Sequence, residues 1–213
     1  MALSISQSIL SDVWVQATWD DFVAASNAPE YEAGRFYFDQ DQMRIEMAPL
    51  GAGHGRQNSV VLRVIGLFAA LRMIRIAEFI NCSFYKAGER GCQPDIAFYM
   101  GADFQLPPQN NEPVSVEEFG PPTLVVEIGS STLSDDLGAK RLLYERLGVS
   151  EYWVVDVTSQ QVIAFSVANE WSGQIQTSEV LPGLDIALVE EALERSQSED
   201  DGSITRWLME KFA

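Results

Sequence analysis

The stretch LVVEIGSSTLSDDLGAK, residues 124–140, joins a short apolar run to a polar segment. Residues 124–128 have the composition of a central strand buried on both faces, apart from one acid, Glu127. Burying a lone carboxylate is costly, so Glu127 is expected to be paired or bound to a metal. A helix then opens at Ser134 and ends at Gly148, a residue favoured just after a helix.

Helices and strands are expected on both sides of this stretch. Apolar spacing and turn residues predict a capped helix from Thr18, a hairpin of 34–38 and 43–47, a long amphipathic helix over about 55–73, strands at 76–84, 96–99, 152–157 and 162–167, and a loop over 106–122. This order favours an α/β or α+β fold with a mixed β-sheet flanked by helices.

The chain length of 213 residues suits one core. We expect a single domain over residues 1–185, with an N-terminal helix and hairpin, and an acidic helical appendage over 186–213. Residues 184–213 carry eight acidic and three basic residues. The segment from Leu188 to Phe212 could serve as a dimerisation arm, which predicts a homo-oligomer, specifically a homodimer.

The charge balance opposes extensive phosphate binding. The chain has 14 basic and 31 acidic residues, a formal net charge of −17. A nucleic-acid contact would therefore need a local basic patch, bound cations or a partner subunit. The first residues lack a basic, apolar signal segment, and no run approaches the roughly 20 apolar residues that span a bilayer. We expect a cytoplasmic protein with no membrane contact.

Asp95 and Glu127 are the predicted metal-binding carboxylates. Asp95 follows Pro94 at the start of one expected strand, and Glu127 ends another. If these strands pair, both acids reach one edge of the sheet and form a site for a hard cation such as Mg²⁺. A turn-capping role for Asp95 is the alternative.

Several short motifs together resemble one known family. They are PD at 94–95, VEI at 126–128, DLGAK at 136–140, Tyr144, GV at 148–149, EYWVVD at 151–156 and LPGL at 181–184. From about Thr18 to Asp185 the chain resembles the Uma2 family of restriction endonucleases, within the PD-(D/E)XK nuclease superfamily. The resemblance implies a restriction-endonuclease-like core, Mg²⁺ or Mn²⁺ held by Asp95 and Glu127, and DNA as the substrate.

The expected lysine of that motif is missing. Its position is Gly129, and the chain has only three lysines, at 86, 140 and 211. Lys140 is the candidate, because it lies on the helix that follows the Glu127 strand and shares a face with Asp136 and Tyr144. The alternative is a helix-surface ion pair between Lys140 and Asp136.

Glu46 and His54 resemble the family's N-terminal acid and histidine, and are the remaining candidate catalytic residues. Glu46 is on the polar side of its strand, so solvent exposure would also explain it. His54, the only histidine, lies in a glycine-rich helix start, where it could face a phosphate, carry a proton or remain exposed. Gln93 and Ser130 flank the two central acids as supporting candidates.

Two functions of different class remain open. The first is a metal-dependent DNA endonuclease in which Asp95, Glu127 and Lys140 act together. The second is a catalytically inactive binding or regulatory module of the same fold, which the acidity and Gly129 favour. Convergence of Glu46, His54, Asp95, Glu127 and Lys140 in one cleft would favour catalysis.

Overall fold

A computed structural model describes residues 11–47, 51–129 and 132–213. The chain divides into two compact units. The smaller comprises residues 1–49, 81–93 and 107–121, and the larger comprises 50–80, 94–106 and 122–213. Each unit contains its own β-sheet.

The elements of the described residues follow in chain order. The strands are β1 (Val15–Gln16), β2 (Arg35–Asp39), β3 (Gln42–Glu46), β4 (Ile76–Ile80), β5 (Phe84–Lys86), β6 (Arg90–Cys92), β7 (Ile96–Met100), β8 (Val114–Ser115), β9 (Leu124–Gly129), β10 (Glu151–Asp156), β11 (Val162–Ala168) and β12 (Trp171–Ile175). The helices are α1 (Trp19–Ser26), α2 (Ala52–Leu71), α3 (Val116–Phe119), α4 (Leu133–Asp135), α5 (Arg141–Leu147), α6 (Ile186–Arg195) and α7 (Asp201–Phe212), with a 3-10 turn at Pro29–Tyr31 and a π-helical turn at Asp136–Lys140.

The smaller unit is built around the predicted hairpin. Strands β2 and β3 pair across a two-residue turn, where Gln40 and Asp41 both have positive φ, as hairpin turns of this length require. Its sheet has the order β1-β3-β2-β6-β5-β8, and all neighbours are antiparallel except β5 and β8. Thr18 caps α1 in a reciprocal capping box with Asp21, as the sequence predicts.

The larger unit carries a sheet with the order β12-β11-β10-β9-β7-β4. Strands β9 and β10 are parallel and the other neighbours are antiparallel. Every residue of β9 is buried, in agreement with its apolar composition. The described fold is therefore a mixed α/β architecture with two mixed sheets and flanking helices, which confirms the predicted fold class and adds a second sheet.

The C-terminal helices α6 and α7 pack against α2 in this larger unit. Val189, Leu193, Leu208 and Phe212 all belong to the core that α2 and the sheet form. Arg56 of α2 donates to the carbonyls of 196 and 199 and pairs with the carboxylate of residue 201. The apolar face of this acidic segment is thus covered within the chain, and both the boundary at 185 and the dimer stay predictions.

The structure departs from the expected elements in two places. The single strand predicted for 76–84 is two strands, because Asn81 takes a positive φ and the chain passes from one sheet to the other. The loop predicted for 106–122 contains β8 and α3. No helix within the described residues is long and apolar enough to cross a membrane.

Candidate active site

Strands β7 and β9 bring Asp95 and Glu127 together in the larger unit. Ile96 pairs with Val126, and the antiparallel register continued by one residue places Asp95 beside Glu127. The Oδ2 atom of Asp95 accepts a hydrogen bond from the backbone N–H of Ile128 at 2.7 Å. Both carboxylates are only 1% exposed. Two acids are therefore held side by side in a buried position that is costly without compensating partners.

Glu127 is held by the helical segment that follows its strand. The hydroxyl of Tyr144 donates to Oε1 at 2.6 Å, and Nζ of Lys140 lies 3.7 Å from Oε2. Lys140 is itself 1% exposed and Tyr144 is fully buried. The hydrogen bond from Tyr144 fixes the orientation of the carboxylate, and Lys140 places a cationic group beside its other oxygen.

Asp136 is a third buried carboxylate in this group. Its Oδ1 lies 2.9 Å from Nζ of Lys140, and its Oδ2 accepts from the hydroxyl of Thr132 at 2.7 Å. Asp136 and Lys140 are the first and last residues of the π-helical turn. Single π-helical turns are rare and occur frequently at functional sites. The ion pair considered as the alternative role of Lys140 is therefore present, but it is buried and lies beside Glu127.

His54 joins the group from the first turn of α2. Its Nε2 lies 3.0 Å from Oδ1 of Asp95, and its side chain is 12% exposed. One turn later, Gln57 donates from Nε2 to the carbonyl oxygen of Val157 at 3.0 Å, which ties the start of α2 to the residue after β10. His54 therefore contacts one of the two central acids and is the group member with the most solvent access.

The donor set fits a hard divalent cation. Carboxylate oxygens are the ligands that Mg²⁺ prefers, and an oxygen with one hydrogen bond retains a lone pair. Lys140 lies beside two of these carboxylates, and a divalent cation would add further positive charge there. In the described ranges, however, no group of three or more His, Cys, Asp or Glu side chains is arranged as a metal cage. A metal at this site would have the two carboxylates of Asp95 and Glu127 as its protein ligands, and metal binding stays a prediction.

Comparison with models of known protein families assigns the chain to one family. A family model described as "Putative restriction endonuclease", Uma2, matches residues 19–202. The chain belongs to the Uma2 family. The match covers both the strands that carry Asp95 and Glu127 and the helical segment that carries Lys140, so these residues lie within the family domain.

A solved structure supports the same fold for this Uma2 chain. The protein is from Anabaena variabilis, is described as a "putative nuclease belonging to DUF820", and is 20% identical to this chain with a TM-score of 0.54. The alignment covers 83% of this chain and 98% of that one. A comparison with curated proteins found no match. The chain therefore shares its fold with the Anabaena variabilis protein and belongs to a family whose description is "Putative restriction endonuclease".

The remaining predicted residues of the Uma2 domain lie in the smaller unit or outside the described ranges. Glu46 is 3% exposed, which excludes simple solvent exposure, and pairs with Arg35 at 3.1 Å and Arg44 at 3.0 Å. Gln93 donates to the carbonyl of Asn81. Ser130 falls outside the described residues. A catalytic role for Glu46 stays a prediction.

Three residues that the sequence analysis did not name as site residues also belong to this group: Asp136, Tyr144 and Thr132. Asp136 and Tyr144 were recognised only as sharing a helix face with Lys140, and their contacts with Lys140 and Glu127 follow from that face. Thr132 holds Asp136 from the preceding turn. A four-residue spacing of polar side chains after a buried acidic strand was the available signal.

Proposed function

We propose that this protein is a Mg²⁺- or Mn²⁺-dependent endonuclease that hydrolyses phosphodiester bonds in DNA. The observation that carries the proposal is the buried pair Asp95 and Glu127 with Lys140 beside it. Membership of a family described as restriction endonucleases and the burial of both carboxylates are consistent with it. The metal, when bound, would polarise the scissile phosphate and lower the pKa of an attacking water.

The side chains of this group have separate tasks in that reaction. Asp95 and Glu127 would hold the metal, and the hydrogen bonds from Ile128 and Tyr144 fix the direction of their oxygens. Lys140 supplies a positive charge beside Glu127, where it can stabilise the charge that develops on the phosphate. His54, which contacts Asp95, is suited to exchange a proton with solvent.

Cleavage of supercoiled plasmid DNA tests the proposal. Purified protein should nick the plasmid with Mg²⁺ or Mn²⁺ and lose this activity with a chelator. Asp95→Ala and Glu127→Ala should both be inactive, whereas Glu191→Gln, which removes an exposed acid from α6, should cleave at the wild-type rate. Wild-type cleavage by either alanine variant would remove the assignment.

A binding module without catalysis is the second candidate, because the net charge of −17 suits protein partners better than DNA. Lys140 and His54 already pair with acids of the group, so the carboxylates have partners without a metal. Titration calorimetry with Mg²⁺ and Mn²⁺ separates the candidates. Binding that is lost in Asp95→Ala supports the nuclease, and absence of binding in the wild type supports the module.

A further inference from the structure

The side chain of Asp136 occupies the space beside strand position 129. A Cβ atom built on Gly129 would lie 2.3 Å from Oδ2 of Asp136 and 3.0 Å from Oγ1 of Thr132. Gly129 does not have a positive φ, so its backbone conformation suits other residues. The lack of a side chain at 129 therefore makes room for the carboxylate of Asp136, and any larger residue must displace it.

The same carboxylate holds the ammonium of Lys140. The contact to Asp136 is 2.9 Å, shorter than the 3.7 Å contact to Glu127. Thr132 fixes the opposite oxygen of Asp136, and the hydroxyl of Tyr152 donates to the backbone carbonyl of Asp136 at 2.9 Å. A lysine side chain has four rotatable bonds, so a fixed anion at its tip removes much of its freedom.

We propose that Asp136 is a positioning residue that directs Lys140 towards Glu127, and that Gly129 is required because it admits the Asp136 carboxylate. The inference rests on the proposed nuclease function and deepens it. The motif lysine expected on the strand is replaced by a unit of three residues. Gly129 leaves the space, Asp136 fills it, and Lys140 brings the charge from the π-helical turn.

Steady-state kinetics of DNA cleavage test the role of charge at 136. Asp136→Asn keeps the shape and removes the charge, so kcat should fall about 10- to 100-fold, as for other supporting partners, while KM changes little. Asp136→Glu, which restores the charge, should recover part of kcat. Glu191→Gln is the matched control, because it breaks an i, i+4 ion pair with Arg195 on an exposed face. An unchanged kcat in Asp136→Asn, or a loss of Mg²⁺ affinity that accounts for its defect, overturns the inference.

Gly129→Ala tests the space requirement independently of charge. The new methyl group should displace the Asp136 carboxylate and lower both kcat and the melting temperature. In an Asp136→Ala background the methyl group meets no carboxylate, so the same substitution should lower the melting temperature by a smaller amount. Equal losses in the two backgrounds would show that 129 and 136 do not interact, and would overturn the inference.

A measurement that needs no cleavage separates this inference from the proposed function. The chain has three lysines, so ¹⁵N-lysine labelling gives a simple ammonium spectrum in which Lys140→Met identifies one signal. Asp136→Asn should shift or remove the Lys140 signal and leave those of Lys86 and Lys211 unchanged. An unchanged Lys140 signal overturns the inference. A wild type without cleavage, but with this dependence, would overturn the nuclease function and retain the Asp136 contact with Lys140.

Discussion

Strands β9 and β10 carry a buried glutamate at each end of their parallel pairing, and the two acids have different surroundings. Glu127 is near the C-terminal end of β9, whereas Glu151 begins β10 opposite Leu124. Both are at most 1% exposed. Glu127 has a lysine beside it and another carboxylate as neighbour. The described contacts of Glu151 are all neutral donors.

Glu151 is surrounded by hydrogen-bond donors. Trp153 donates from Nε1 at 2.9 Å, the hydroxyl of Ser178 approaches both oxygens, and the backbone N–H groups of Glu179 and Val180 donate to Oε1. Burial raises the pKa of Glu151, although these hydrogen bonds lower it in part. This acid joins a loop to the sheet. Burial alone therefore does not mark an acid as a candidate site residue. What sets Glu127 apart from Glu151 is the lysine and the second carboxylate beside it.

Substitution of Glu127 or of Glu151 by alanine should give the largest difference between the two regions in cleavage rate and in melting temperature. Glu127→Ala should lose cleavage by about 10²- to 10³-fold or more, with a smaller loss of melting temperature than Glu151→Ala because fewer described donors contact Glu127. Glu151→Ala leaves several buried donors unpaired, which costs about 3 kcal/mol of the free energy of unfolding and about 6–12 °C in melting temperature. Plasmid cleavage and thermal unfolding of both variants measure this. Loss of activity in folded Glu151→Ala would contradict the comparison.

Stabilisation by a bound metal should depend on Glu127 and not on Glu151. At a Mg²⁺ or Mn²⁺ concentration of about 100 times Kd, binding adds about 2.7 kcal/mol to the free energy of unfolding. This is about 5–11 °C in melting temperature. Glu127→Gln should lose this shift and Glu151→Gln should keep it, as thermal scans with metal and with chelator would report. A shift of the same size in Glu127→Gln would place the metal elsewhere.

The pH dependence of the free energy of unfolding should reflect the raised pKa of Glu151. Because its pKa in the folded state is raised above the ordinary value of 4.5, the folded protein retains a proton that the unfolded chain has already lost. Its contribution is fully present below pH 4.5 and declines as the pH rises through the folded pKa, by at most about 1.4 kcal/mol per pH unit. Urea unfolding at a series of pH values from 4.5 upwards should show this decline for the wild type relative to Glu151→Gln. A constant difference between the two proteins would refute the assignment.

The smallest effects are expected when one neutral hydrogen-bond donor is removed from the surroundings of each acid. Trp153→Phe removes the N–H that reaches Glu151, with an expected cost of about 1–2 kcal/mol and no specific effect on cleavage. Tyr144→Phe removes the hydroxyl that fixes Glu127, and should lower kcat about 10-fold. The ratio of the kcat loss to the stability loss is the quantity to compare. Equal ratios would show that the two acids have the same kind of role.

Local sequence signals predicted much of the larger unit. The apolar run around Glu127 predicted a buried strand, and the scarcity of lysines led to Lys140. Both depend on composition or on spacing within one helix, which a sequence displays directly. The contact between His54 and Asp95 could only be suggested by family resemblance, because 41 positions separate them and no periodicity connects α2 with β7.

Features that depend on tertiary packing could not be predicted. Apart from Trp153, the donors to Glu151 come from a loop 27 to 29 positions away, so nothing near Glu151 indicated its burial against that loop. The division of 76–84 between two sheets depends on the positive φ of Asn81, a conformation that asparagine tolerates but does not require. Gly129 was recognised as lacking the motif lysine, but the carboxylate that fills its space was apparent only in three dimensions.

The close approach of Asp136 to Gly129 also constrains how this site can evolve. A lysine introduced at 129 alone would collide with Asp136, and loss of Asp136 alone would remove the nearest anion from buried Lys140. Either substitution alone is expected to lower stability or activity, so a lysine is tolerated at position 129 only if position 136 changes with it. The effects of substitutions at positions 129, 136 and 140 should therefore depend on one another, and the three positions are expected to change together or remain as they are.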